Sequence, residues 1–335
     1  MSLSRRKFLK LAGLSAGAWL FPLPPDEAPP IITGLGRATR TLTLFDRPSF
    51  SGNNLGHVRA DAVFNLFGSV PSEDERYPRD WHPVKRGYVY SGFVQPVKWQ
   101  RQVPSLDLSE KGFLGEITVP LTSARAWHTD RASEIYRLYY STTYWIGEAR
   151  TSEDDGAIWY RVNGERNPDS YWVRGEHVRR VAPEELTPIS PEVNNKRIEV
   201  DLEKQTFRCF EGETLALDAL CSTGTYLRNE NGKRIYGTPA GDWAIDRKRP
   251  SRHMAGEDGA SADFFDLPGV PWVSYFHWWG TAVHGTYWHN DFGVPHSHGC
   301  LNLPSETAKW VFRWTTPQAR MEEQTLGDGT PLIVK

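Results

Sequence analysis

The segment His284-Gly285-Thr286 and, a dozen residues later, the run Ser297-His298-Gly299-Cys300-Leu301-Asn302 decide how this chain is read. They bring a thiol and two imidazoles into one glycine-punctuated stretch, the minimum apparatus for a cysteine nucleophile with a histidine base. A thiol near its reference pKa of about 8.5 is mostly protonated at neutral pH, and a neighbouring imidazole can take that proton. Gly285 and Gly299 let the backbone turn sharply and approach the reacting atoms closely.

Working outward, Ser222-Thr223-Gly224 and Thr238-Pro239-Ala240-Gly241 precede that segment in order. Together the four motifs resemble the active-site signature of the L,D-transpeptidases, the YkuD family, over roughly Asn195 to Lys335. Many members carry Arg two residues after the cysteine, where this chain has Asn302. The resemblance implies that Cys300 attacks the carbonyl of a donor stem peptide of peptidoglycan. His284 is then the base, with its ring oriented by the Gly285 carbonyl. It further implies an oxyanion site shaped by His298, Gly299 and the Cys300 amide. Ser297 and Asn302 are supporting hydrogen-bonding positions, and Thr286, Tyr287 and Trp288 line the donor groove. The acyl group passes to an amine or, with water as acceptor, the same intermediate gives an L,D-carboxypeptidase.

Six of the ten histidines fall between His253 and His298. His284, His289, His296, His298 and Cys300 could supply zinc ligands, so a zinc-dependent envelope hydrolase is the competing reading. Against it, the chain has no HExxH and no paired CxxC. The preferred reading needs no metal and no cofactor, and treats His289 and His296 as solvated loop histidines.

Local patterns in this region are strand-like. Arg197 to Leu202 alternates, Thr206 to Phe210 and Leu215 to Cys221 flank a turn at Glu211-Gly212, and apolar-aromatic runs Val273 to His277 and Thr281 to His284 are broken by Gly280. Ser305 is the expected N-cap of a helix through Trp314 with Ala308, Val311 and Phe312 on one face. A final strand spans Leu332 to Val334. The predicted fold is mainly β, a sandwich with one packed helix behind the nucleophile loop. In the hairpin register Cys209 should face about residue 214, too far from Cys221 for a disulfide, so both cysteines are read as small buried hydrophobes and Cys300 as the reactive thiol.

Upstream, 14 Trp, 13 Tyr and 15 Phe with 29 Gly and 24 Pro in 335 residues favour short strands and turns. The stretch between the leader and Pro183 repeats itself: Gly87-Tyr88-Val89-Tyr90-Ser91-Gly92-Phe93-Val94 and Tyr171-Trp172-Val173-Arg174-Gly175-Glu176-His177-Val178 both run from an aromatic-Val strand through Gly to a second Val strand. This resembles two bacterial SH3-like barrels, over 36–110 and 111–183, joined by a linker at 184–194 to a catalytic domain at 195–335. The modules are expected to place the enzyme on the cell-wall polymer and to contribute no catalytic group. Trp127, Trp159 and Trp172 are expected to fill their cores.

Residues 1–30 read as a leader and Pro-rich spacer. Ser4-Arg5-Arg6-Lys7-Phe8-Leu9-Lys10 resembles a twin-arginine export signal, followed by an apolar run from Leu11 to Phe21. Export through the twin-arginine translocase to the cell envelope is the expectation. The formal charge of −2 becomes −6 once Arg5, Arg6, Lys7 and Lys10 are set aside with the leader, so nothing suggests a nucleic-acid footprint. The chain is expected to be a monomer.

Overall fold

Strand Lys196–Asp201 alternates buried and half-buried residues along its length, so Ile198 and Val200 point one way and Arg197 and Glu199 the other. That period builds the first sheet of the C-terminal region. In the computed structural model, which describes residues 32–74, 80–166, 170–228, 230, 232, 234–256 and 265–335, its order is Thr214–Leu220, Thr206–Glu211, Lys196–Asp201, Pro331–Val334, Gly241–Ala244. A second sheet runs Leu301–Pro304, Ala282–Thr286, Asp266–Tyr275, Arg247–Ala255, Thr325–Leu326. Ile198, Val200, Phe207 and Cys209 from the first meet Trp272, Val283, Leu301 and Leu303 from the second in one core. The fold is thus mainly β, with a sandwich as expected.

Helix Ser305–Trp314 closes that core with Ala308, Val311, Phe312 and Trp314. Two expected details differ. Pro304, not Ser305, occupies the N-cap, and no side chain caps the helix; strand Leu301–Pro304 runs straight into it, so the chain direction is set by the sheet. In the hairpin, Cys209 opposes Leu217 and not residue 214, because Glu211 pairs with Thr214 around Gly212 (φ +61°) and a register shift falls between Cys209 and Phe210. Cys209 and Cys221 are both free and fully buried.

The helix C-terminus is held by two lysines from the two sheets. Lys248 Nζ donates to the carbonyls of Phe312 and Thr315 at 2.7 and 2.6 Å, and Lys196 Nζ donates to those of Trp314 and Ile189 at 2.8 Å each. Ammonium groups suit the negative end of a helix and satisfy carbonyls that lack an intrahelical partner. Burial holds the Lys248 ammonium well below its ordinary range.

Before this sandwich lie two small β assemblies with the same closing device. In each, a strand leads through a three-residue 3-10 turn into a strand that returns to pair antiparallel with the assembly's first one. Gly87–Tyr90, Ser91–Phe93 and Val94–Val97 close on Gly34–Ala38; Ser170–Arg174, Gly175–His177 and Val178–Arg180 close on Phe113–Ile117. Each has its own apolar core. Trp159 and Trp172 are buried, whereas Trp127 is 52% exposed. The stretch expected as a linker opens with a 3-10 turn, Pro183–Leu186, whose Leu186 joins the sandwich core together with Leu114 and Val181.

The leader, and most of the polar loop from Met254 to Asp266, lie outside the described residues.

Candidate active site

Strands Ala282–Thr286 and Leu301–Pro304 are parallel neighbours, with Val283 opposite Leu301 and His284 opposite Asn302. Side chains alternate across a strand, so His284, Asn302 and Cys300, which immediately precedes the second strand, share one face of the sheet. All three line one cleft of about 620 Å³. The sequence separation of sixteen residues between base and thiol is closed by this parallel pairing.

His284 is 2% exposed, and its Nδ1 lies 3.0 Å from the Gly285 carbonyl. That contact places the ring proton on Nδ1 and leaves Nε2 as the basic nitrogen. Burial lowers His284 to about 4, with the Gly285 carbonyl opposing the shift. Burial likewise pushes the Cys300 thiol up to about 11, opposed by the backbone of Ala282. At neutral pH the pair is therefore an uncharged thiol beside an uncharged imidazole. Gly285 admits no side chain: a Cβ there would stand 2.8 Å from Pro271 Cγ and 3.0 Å from Ser305 Cα.

The nucleophile loop is cradled by the two upstream motifs. Thr238 Oγ1 donates to the Gly299 carbonyl at 2.7 Å and accepts the Gly224 N–H at 2.7 Å. Ser222 and Gly224 bridge to Asn302 and Ser297. Within the loop, Ser297 Oγ donates to the Cys300 carbonyl at 2.6 Å and accepts the Gly299 N–H at 3.0 Å. The Gly299 amide is thus engaged within the loop. His298 is exposed, with its ring stacked on Phe265 at 5.1 Å.

Of the three residues expected along the donor groove, only Trp288 lines the cleft. Thr286 is buried, and Tyr287 is drawn elsewhere: its hydroxyl donates to the Pro268 carbonyl at 3.0 Å, its ring stacks on Tyr139 and its carbonyl accepts Arg37 Nη2 at 2.6 Å. Arg37 and Tyr139 come from the upstream assemblies, which local sequence cannot reveal.

His289 and His296, expected in solvent, belong to a polar network. Asp291, 5% exposed, accepts the Tyr90 hydroxyl at 2.7 Å and pairs with His296 Nε2 at 2.7 Å. His289, 4% exposed, accepts the Asp291 N–H on Nδ1 at 3.1 Å, and its Nε2 lies 2.9 Å from the Asn302 amide. The Asn302 Nδ2 is the atom that faces His289 Nε2, and the Asn302 Oδ1 is buried with no hydrogen-bond partner among the described residues. Among the described residues no group of three His, Cys, Asp or Glu is arranged to hold a metal ion.

Comparison with known proteins bears on the C-terminal portion of the chain. Residues 195–334 match the profile of the L,D-transpeptidase catalytic domain, YkuD. This portion of the chain is an L,D-transpeptidase catalytic domain. Solved structures similar to the chain include the Ldtfm carbamoyl enzyme formed with avibactam, at 25% identity over 43% of this chain and 50% of that one, with a TM-score of 0.32. An L,D-transpeptidase from Enterococcus faecium follows at 24% identity over 43% and 51%, TM-score 0.32, and one from Mycobacterium smegmatis at 17% over 56% and 77%, TM-score 0.33. The matched part spans about half the length of the first two. No curated protein matches. In the L,D-transpeptidase domain, the network through Asp291 and the docking of Tyr287 were missed from sequence; the signal for the first was the cluster His289, Asp291 and His296 itself.

Proposed function

We propose that the chain is an exported cysteine L,D-transpeptidase of the cell envelope, which forms an acyl-enzyme with a peptidoglycan stem peptide and transfers it to an amine. The observation that carries this reading is the parallel pairing that sets His284, with Nδ1 committed to Gly285, beside Cys300 on one face of one cleft. Cys300 Sγ attacks the carbonyl after the third stem residue while His284 Nε2 takes the thiol proton. The tetrahedral oxyanion is met by the Cys300 N–H, a fixed donor of the kind that stabilises developing charge by a few kcal/mol. Collapse breaks the C–N bond, and His284 returns the proton to the departing D-amino acid, leaving a thioester. The acceptor amine then attacks the thioester, loses a proton to His284, and the thiol is regenerated. Asn302, on the cleft wall, supplies a hydrogen-bonding group to the bound peptide.

The neutral resting pair suits this cycle, because the thiol is ionised only as the carbonyl arrives. The β assemblies ahead of the domain are two SH3-like modules that hold the enzyme on the wall polymer, and residues 1–30 direct export through the twin-arginine translocase.

Intact-mass measurement tests the reading. Incubation with a tetrapeptide stem should add the donor mass less its terminal D-amino acid to the wild-type chain and nothing to Cys300→Ala. Added amine should release a transpeptidation product. Release of free tripeptide alone identifies an L,D-carboxypeptidase, and turnover by Cys300→Ala would overturn the mechanism.

A further inference from the structure

The wall of the cleft opposite the nucleophile loop is cationic. Strand Arg247–Ala255 brings Arg247, Arg249 and Arg252 to it, and Arg166 arrives from the preceding assembly. No carboxylate lines the cleft among the described residues. Arg249 and Arg252 share the single carboxylate of Glu165, and Arg249 Nε also donates to Gln324 Oε1 at 3.0 Å. Arg247 is different. Its guanidinium lies 4.0 Å over the Tyr275 ring, and its Nε is buried with no hydrogen-bond partner among the described residues. Stacking fixes the plane of a guanidinium while leaving its edge free, the arrangement suited to a two-pronged grip on a carboxylate. A buried donor without an acceptor is otherwise costly to keep.

Tyr275 measures how near this wall stands to the chemistry. Burial raises its phenol above the ordinary range; Arg252, Arg247 and Arg249 pull it down, and Cys300 pushes it up. The Cys300 thiol itself responds to burial and to the Ala282 backbone. The arginines and the nucleophile therefore border the same side chain.

We propose that Arg247 holds a carboxylate of the donor stem peptide, so that the enzyme selects donors in which that carboxylate is free over those in which it is a carboxamide. This deepens, and rests on, the peptidoglycan reading above. The carboxylate meets the Arg247 guanidinium from the cleft, and Arg249 and Arg252, half-neutralised by Glu165, add long-range attraction.

The test is calorimetric binding to the full chain carrying Cys300→Ala, using a tetrapeptide donor and analogues in which each carboxylate in turn is a carboxamide. One analogue should bind about ten- to a hundredfold more weakly, the range for a hydrogen bond between charged groups. Adding Arg247→Gln should remove that difference, and Arg247→Lys should keep part of it. Melting curves report whether each variant folds, and Arg247→Lys serves if Arg247→Gln does not. Equal binding of all analogues, or a difference that survives both Arg247 substitutions, overturns the proposal. Because binding is read without chemistry, discrimination by Cys300→Ala alongside an unacylated wild-type chain would sink the transpeptidase mechanism and leave the carboxylate site standing.

Discussion

The two upstream assemblies dock on the catalytic domain by different chemistry. The second joins its hydrophobic core: Leu114 and Val181 are buried among Ile198, Val200 and the helix, and Thr143 Oγ1 donates to the Pro250 carbonyl at 2.7 Å on the adjoining strand. The first touches the loop that follows His284, through polar single contacts. Arg37 reaches the Tyr287 carbonyl, the Asn290 N–H donates to the Gly92 carbonyl at 2.7 Å, and Tyr90 reaches Asp291. Apolar docking supplies free energy in proportion to area and tolerates small shifts, whereas hydrogen bonds to a loop fix positions. The core contacts of the second assembly therefore bear on stability, while the contacts of the first bear on the position of the loop after His284.

The largest effect should come from removing both. A chain beginning at Pro191 exposes the apolar surface that Leu114, Val181 and Leu186 cover, and is expected to lose its cooperative melting transition; a truncated chain with unchanged melting and turnover would abolish the distinction. At the next level, Leu114→Ala should destabilise by about 2–5 kcal/mol in denaturant titration, the usual range for a buried Leu, with the acylation rate of the folded fraction nearly unchanged.

Tyr90→Phe should do the reverse. Loss of one hydrogen bond to a buried carboxylate costs about 1.5–3 kcal/mol. We expect slower acylation by roughly tenfold on that scale, with cleavage of a soluble tetrapeptide as the readout. Equal rates for Tyr90→Phe and wild type would reduce the first assembly to a spacer. His284 lies outside both docking regions, which makes its titration an internal control. Its pKa is lowered, so the base stays neutral down to about 4 and acylation should fall only as pH drops through that value, in wild type and Tyr90→Phe alike. An acid limb near 6.5 would contradict the burial of the ring. Least affected should be Trp278→Ala: the side chain is 76% exposed at the Gly280 turn, and its loss should change stability by no more than about 0.5 kcal/mol.

What the sequence made legible followed from short-range rules. Alternation located Lys196–Asp201, Gly212 located the hairpin turn, and the spacing of Ala308, Val311 and Phe312 located the helix. The paired motifs brought Cys300 and His284 together because the strands bearing them are adjacent. Features that depend on partners far along the chain were not legible. Tyr287 looks like a groove residue until Arg37 and Tyr139 claim it, and His289 and His296 look solvated until Tyr90, some two hundred residues earlier, closes over Asp291. The hairpin register was misjudged because the turn lies one residue later than Glu211-Gly212, so that Glu211 pairs with Thr214, and an irregularity between Cys209 and Phe210 adds one further residue.

The free state of all three cysteines bears on how the molecule meets oxidants. Burial drives Cys209 far above the ordinary thiol range and Cys221 to about 12, and both are enclosed in the sandwich, so neither offers a thiolate to peroxide or to a disulfide. Cys300 alone opens on the cleft. Sulfenylation or mixed-disulfide formation would therefore strike at one address, silencing turnover while sparing the fold, and a reductant would restore it. A thiol titration should count one reactive group in the native chain and three after denaturation.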